Sequence, residues 1–304
     1  MTHEHLASLG NVTVDDLVFA DGTTMWRIPG GNAIYSGLGM SIWGHRPTVV
    51  APIGPDYPVE LLGGRLDLSL CRVTDQTLRD WGLYEDDGSR TFVFRAATRN
   101  WLEYSPTLSD IGTLTCDYAH IAPVPWQQQI ALSSALRERG TRVISIDLDD
   151  RYLTELADAD RAALLKAADL FLPSKQDAEA MFPGNSIPDT IRRMRDMAPD
   201  LPMIAVKLGA GGVLFHAADA SELQWLPAIA DAVVDTTGAG DAFSGGALAG
   251  FAHDGTALEA ALRGSVAGSF AVASSGPGAL VAATLDECLS RRDALITRLE
   301  SRPF

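Results

Sequence analysis

From about Ala119 onward, short apolar runs alternate with helical patterns, and this alternation constrains the fold more than any other feature of the chain. The strand-like runs are 119–122, 142–147, 170–172, 203–207, 212–216 and 232–234. Between them lie helical stretches such as 127–139, 161–167 and 187–197. This β-α-β order predicts a mostly parallel sheet with helices on both faces. Two or three helices, 240–252, 256–274 and 285–300, close the chain. The N-terminal third is different. Segments 12–19, 78–84 and 91–96 alternate in polarity between turn residues, and Asp87-Gly88 reads as a hairpin turn joining the last two. The 304 residues suffice for one large α/β domain or two small ones, and no repeat, linker or low-complexity stretch divides them.

One run carries chemistry. Asp235-Thr236-Thr237-Gly238-Ala239-Gly240-Asp241 follows a strand-like stretch, 230–234, and leads into Ala242-Phe243-Ser244-Gly245-Gly246-Ala247-Leu248. A strand–turn–helix junction presents unpaired backbone N–H groups at the positive end of a helix, where an anion is favoured. Gly238, Ala239 and Gly240 carry almost no side chain, so a phosphate can approach the backbone. Asp241 follows on the first helical turn, where the dipole is expected to keep it ionised and able to accept a hydroxyl proton. A cradle for moving charge and a base for the nucleophile are the two halves of a phosphoryl transfer. The alternative is a glycine-rich turn that serves only tight packing.

These fourteen residues resemble the C-terminal signature of the ribokinase-like (phosphofructokinase-B) family of carbohydrate and nucleoside kinases. The resemblance implies a three-layer α/β/α sandwich with a mostly parallel central sheet. It also implies one kinase domain over 1–304, with a small β-sheet lid drawn from about 12–25 and 78–100. The lid would keep water from the transferring phosphoryl group. Elsewhere the chain can be matched to the family piece by piece. Gly10-Asn11-Val12-Thr13-Val14-Asp15 is similar to its first strand and substrate-binding Asp, which makes Asp15 an acceptor ligand; the other reading is an acidic turn shared with Asp16. Pro29-Gly30-Gly31 is similar to the Gly-Gly pair that lies against the sugar, and Tyr35 stands where relatives carry an Asn. In the run from Asp169 to Ala180, Ser174 and Asp177 replace the Asn and Glu of an element that helps bind phosphates and magnesium. The segment 204–214, with Lys207, Gly209 and Gly212, matches a strand–turn–strand bordering the nucleotide; Lys207 either faces the phosphates or is a solvated charge. Residues 274–279 fall where relatives line the adenine pocket and a monovalent-cation site, to which Asp235 and Thr237 would also contribute.

The reading is therefore an ATP-dependent phosphotransferase acting on a hydroxyl of a sugar, sugar acid or nucleoside, with Mg2+, ATP as co-substrate and K+ as a further expected ion. Asp241 is the general base and the 238–240 backbone the anion hole. The lid is expected to pair two copies as a homodimer. A non-catalytic, ligand-binding relative is the rival reading, motivated by Tyr35, Ser174 and Asp177.

Composition narrows the partners. A formal charge of -15 repels nucleic acid and anionic membrane surfaces. No apolar stretch approaches the ~20 residues that span a bilayer. The N-terminus lacks a secretory pattern, and three scattered cysteines point to a reducing compartment, so a cytoplasmic placement is expected. A Gly-Lys phosphate loop and a G-x-G-x-x-G fingerprint are both missing from the sequence. The cluster Asp147, Asp149, Asp150 and Arg151 reads as a solvated loop, and Arg90, Arg95 and Arg99 as exposed charges or as ligands for an acidic substrate.

Overall fold

The structure, a computed structural model, describes residues 4–85, 90–95, 101–149, 151, 153 and 156–304. The first half runs β1 (Leu6–Leu9), β2 (Thr13–Val18), β3 (Thr24–Gly30), α1 (Asn32–Ser41), β4 (Thr48–Val50) and β5 (Pro52–Ile53). It continues with β6 (Arg72–Val73), β7 (Leu78–Tyr84), β8 (Arg90–Phe94), β9 (Tyr118–Ile121), α2 (Trp126–Glu138) and β10 (Val143–Ile146). Next come α3 (Asp158–Lys166), β11 (Leu170–Phe171), α4 (Lys175–Met181), α5 (Ile187–Met197), β12 (Met203–Lys207), β13 (Val213–Ala217) and β14 (Leu223–Leu226). The chain closes with α6 (Ala239–Asp254), α7 (Ala257–Ala271), α8 (Gly278–Ala282), α9 (Leu285–Ile296) and β15 (Glu300–Arg302).

Nine strands form the central sheet in the order β15-β14-β13-β12-β11-β10-β9-β1-β4. The six from β12 to β4 are parallel, and β13, β14 and β15 add an antiparallel edge. Strands such as β10 and β12 are buried on both faces, which is why they read as unbroken apolar runs. One core packs α2, α3, α4 and α5 on one face, and two further clusters pack α1, α6 and α7 on the other. Helix starts follow side-chain chemistry. Ser174, Ser186, Thr256 and Thr284 each accept the N–H three residues on, a contact worth about 1 kcal/mol.

The expected three-layer sandwich and mostly parallel sheet are therefore present, and so is the small sheet, β3-β2-β7-β8, standing apart from the central one. Its strands include Thr24–Gly30, so it reaches beyond the segments foreseen for it. Strands β7 and β8 pair antiparallel as a hairpin would, but Asp87-Gly88 lies outside the described residues.

Two expectations fail. Residues 230–234 form no strand: Val233 and Val234 are 63% and 59% exposed, and Val234 N–H bonds the Val272 carbonyl at the end of α7 instead of a sheet partner. The final helix stops at Ile296 and the chain then adds edge strand β15 to β14, a pairing that no local pattern announces.

Candidate active site

The chain order reverses between β1 and β9. From β9 the sheet grows toward β12, and from β1 toward β4. Crevices at the carboxyl ends of strands beside such a switch are where α/β sheets bind ligands. Here Asn11, after β1, and Pro123 with Val124, after β9, line a cavity of about 230 Å³ roofed by the small sheet. Asp15, Gly31, Tyr35, Asp80, Phe92, Phe94, Thr237, Gly238 and Asp241 complete much of its wall. A second cavity, about 370 Å³, opens from Asp241 past Asp147, Asp149, Ser174 and Asp177 to Lys207 and Gly240. From Lys207 and Gly240 a third, about 450 Å³, runs between Leu208–Val213, residues 228–233 and the α6–α7 surface. Asp241 borders the first two cavities, and Gly240 the last two, so the three form one trough with the predicted turn at its centre.

The turn is shaped by Gly238, which caps α6 at φ 74°, a left-handed conformation that glycine adopts without strain. A Cβ there would also sit 2.3 Å from the Tyr35 ring. The buried Tyr35 thus supports the turn from beneath while lining the first cavity. Further along α6 the glycines serve packing: a Cβ on Gly245 would lie 1.8 Å from the Ser36 carbonyl oxygen of α1. The packing reading therefore holds for Gly245, while Gly238 shapes the turn itself.

The electrostatics depart from expectation. Burial, then the charges of Asp147, Asp149 and Asp177, push the Asp241 carboxyl up to about 7, against the pull of Lys207. The helix dipole alone does not keep it ionised. Ala239 N–H donates to the Thr236 carbonyl at 3.3 Å, so one of the three amides expected to cradle an anion starts out occupied.

Asp147 is no solvated loop residue. It is 2% exposed, accepts from Lys207 Nζ and takes the Ser244 hydroxyl at 3.0 Å. Lys207 is accordingly a half-buried, ion-paired cation at the centre of the trough, within 3.4 Å of the Gly240 carbonyl oxygen. Asp149 borders the cavities and pairs with Arg151; Asp150 lies outside the described residues.

Ser174 caps α4, and its N–H and hydroxyl both reach Asp177 Oδ2, at 2.7 and 2.6 Å. Burial, then Asp147, push Asp177 up to about 6. Gly209 and Gly212 line the third cavity with Ser174 and Lys207. Residues 274–279 are absent from its lining, which draws on 228–233 and 265–272; Gly276 packs against Ile28 of β3 instead.

On β2, Asp15 and Asp16 point to opposite faces because side chains alternate along a strand, so neither is a turn residue. Asp16 accepts from Arg79 at 2.8 Å and Arg95 at 2.9 Å. Arg95 is thereby spoken for; Arg99 and the Arg90 side chain lie outside the described residues. Asp15 faces the first cavity, packed on Gly30, where a Cβ would meet its carboxyl at 2.2 Å. Asp235 and Thr237 are both bonded by the Tyr84 hydroxyl of the small sheet, at 2.9 and 3.0 Å. Sequence reasoning missed Asp80, Phe92 and Phe94, although the alternating pattern of 78–84 could have placed Asp80 on the inward face.

Comparison with known proteins places the chain in a family and gives its fold. The chain is 28% identical over 266 residues to the cytidine kinase of Thermococcus kodakarensis, covering 85% of this chain and 92% of that one. It is 27% identical over 232 residues to the 2-dehydro-3-deoxygluconokinase of Escherichia coli K12, covering 68% and 72%. Among solved structures, the Burkholderia thailandensis nucleoside kinase in complex with inosine superposes with a TM-score of 0.76 at 18% identity, over 98% of this chain and 99% of that one. The Vibrio cholerae fructokinase bound to fructose, ADP and calcium gives 0.74 at 19% identity, over 94% and 98%. The family model for pfkB family carbohydrate kinases matches residues 12–283, and the chain belongs to that family.

Proposed function

We propose that this kinase transfers the γ-phosphoryl group of ATP to a hydroxyl of a sugar, sugar acid or nucleoside, with Asp241 as general base. The observation that carries the proposal is the position of Asp241 on the wall shared by the first two cavities, one turn from Gly238. An acceptor in the first cavity, resting on Asp15, Gly30, Gly31 and Tyr35, would place a hydroxyl beside that carboxylate. The nucleotide would lie in the third cavity, against Gly209 and Gly212, with its phosphates toward Ser174, Lys207 and the α6 turn. Backbone N–H groups of Gly238 and Gly240, joined by that of Ala239 once it leaves the Thr236 carbonyl, would then hold the charge that develops on the phosphoryl oxygens. The lid excludes water.

The donor set suits magnesium. Asp177 and Asp149 offer hard carboxylate oxygens to the central cavity. No cluster of three or more metal-ligating side chains is preformed among the described residues. That fits an ion held chiefly by phosphates and water with one or two carboxylates. When bound, it would neutralise the β- and γ-phosphates. Potassium at Asp235 and Thr237 belongs to the same proposal and is tested by replacing it with choline in the assay.

A single kinase domain over 1–304 is supported by the family match across 12–283. Pairing of two copies through the lid is supported by Trp26, Trp81 and Val93, exposed at 59%, 41% and 42%; sedimentation of the intact chain tests it. The three cysteines are free, which supports a cytoplasmic placement, and no described helix is long and apolar enough to cross a membrane.

The test is ADP release with Mg-ATP against pentoses, hexoses, sugar acids and nucleosides, beside Asp241→Asn. Removing a general base should lower turnover by about 10²–10⁴-fold with an acceptor that the wild type phosphorylates. An active Asp241→Asn variant would remove Asp241 from the role. Nucleotide binding with no ADP release from any acceptor would favour the non-catalytic reading.

A further inference from the structure

We infer that the acceptor is a neutral compound gripped through two adjacent hydroxyls by Asp15 and Asp80 together, and that Asp80, carried by the lid, turns away sugar acids. The inference rests on the phosphotransferase reading and narrows its substrate class. Strands β2 and β7 run parallel with Asp15 directly opposite Asp80. Both side chains face the first cavity, both residues are about 95% buried, at 5% and 4% exposure, and the two carboxyls lie within hydrogen-bonding reach of each other. Each keeps one oxygen, Oδ1, that is buried and has no partner. Two orphaned carboxyl oxygens at one ligand cavity call for hydrogen bonds from a ligand.

Among the described residues no cation pairs with Asp15 or Asp80. Asp16, next along β2, faces away and takes up Arg79 and Arg95. The Arg27 amide of β3 also serves Asp16. Asp235 and Asp241 approach from the α6 turn, and the buried phenols Tyr35 and Tyr57 from α1 and the loop after β5. Among described residues lining the cavity the cation is Arg151, which is ion-paired with Asp149. Burial, then the charge of Asp15, raise Asp80 to about 9, and burial also lifts Asp15, so the two share one proton near neutral pH.

A carboxyl pair with one proton offers one O–H donor and several acceptor oxygens. Two adjacent hydroxyls, each able to donate and accept, complement that set. A carboxylate instead brings like charge to a buried anion, which is how a site rejects a competitor as well as choosing a ligand. Phe92 and Phe94, on the neighbouring strand β8, give the same cavity an apolar wall suited to the C–H face or ring of a neutral acceptor.

The experiment follows ADP release from pH 6 to 10 with wild type, Asp80→Asn and Asp80→Ala. Ribose, fructose and cytidine serve as neutral acceptors, gluconate and 2-dehydro-3-deoxygluconate as acids. A neutral acceptor should exceed both acids in kcat/KM by at least ~10-fold, the worth of about 1.4 kcal/mol. Its KM should rise as the pair loses its proton near pH 9. Asp80→Ala should raise that KM by ~10-fold or more, the cost of stranding Asp15, with the ATP KM unchanged. Asp80→Asn, whose amide donor does not titrate, should raise KM by a few-fold and abolish the alkaline rise.

Preference for an acid, an acceptor KM indifferent to both variants, or an alkaline rise that survives in Asp80→Asn would each overturn the inference while leaving the kinase intact. Failure to release ADP from any acceptor would defeat the phosphotransferase reading instead. Calorimetric titration of the same five compounds into the wild-type chain then decides the inference. Binding of a neutral diol but no acid supports it, and any other pattern overturns it.

Discussion

On the side of Asp241 proposed for the nucleotide, the trough wall is apolar, built from 228–233 and 265–272 beside the strand–turn–strand that carries Lys207. On the acceptor side the wall carries carboxyls and phenyl rings, gathered from β2, α1, β7, β8 and the α6 turn. An apolar slot with charge only at its mouth suits a planar base whose phosphates project toward the centre. A cavity rich in acids suits a compound covered in hydroxyls. The difference supports the proposed placement of the two co-substrates at the two ends. It also locates specificity, because the acceptor end depends on how a separate sheet sits over the central one.

The most severe way to break this division is at the junction. Gly238→Ala forces a left-handed residue to carry a Cβ into the Tyr35 ring, and turnover should fall by more than ~10²-fold, as when oxyanion donors are lost. Gly245→Ala, seven residues on, should leave the chemistry alone and cost about 1–3 kcal/mol of stability through overpacking against α1. Steady-state kinetics beside denaturant unfolding separates the two. Equal losses in both measurements would show that the turn and the helix seam are one unit.

Lys207→Ala tests the nucleotide end. It strands Asp147, so the ATP KM should rise ~10-fold while the acceptor KM holds. It also removes the charge that lowers Asp241, so the base should ionise only above its present value of about 7. Activity lost at pH 7 would then return in part at pH 9.

In the wild type, a base raised to about 7 is protonated and idle in acid, so kcat/KM for the acceptor should climb through pH 7 and level there before falling as the Asp15–Asp80 pair loses its proton near pH 9. A profile flat from pH 5 to 8 would show that bound nucleotide and magnesium restore Asp241 to an ordinary carboxylate. The same groups bear on stability. Carboxyls whose folded values lie above their unfolded ones favour the fold at low pH and cease to do so as pH rises through the folded values. With Asp15, Asp80 and Asp241 all raised, the melting temperature of the ligand-free chain should fall between pH 6 and 9. Asp80→Asn should flatten that fall.

The smallest effect is expected from Tyr84→Phe. It removes the hydroxyl joining the lid to Asp235 and Thr237, worth about 1 kcal/mol, and should raise the acceptor KM a few-fold without touching the ATP KM. An unchanged acceptor KM would show that the lid closes without this contact.

The grouping of residues at the proposed nucleotide end was largely legible in the chain. Gly238, Ala239, Gly240 and Asp241 are contiguous, Ser174 and Asp177 form one capping box, and Lys207, Gly209 and Gly212 share one strand and turn. Asp147 was misread as solvated because a strand-end Asp looks alike whether it meets water or a lysine sixty positions away. Residues 230–234 were misread because two adjacent valines resemble a strand until the sheet offers them no partner.

The alternating apolar runs by themselves determined a mostly parallel α/β sheet, and residues 235–248 by themselves determined a helix N-terminus with a carboxylate on its first turn. Both are local, written in spacing and in side-chain size. Only the tertiary structure decided that Asp15 meets Asp80 and that Lys207 pairs with Asp147. It alone raised Asp241 to about 7 against the dipole of its own helix. These outcomes depend on which charges are brought together and how far water is excluded from them, and neither quantity exists until distant strands are paired.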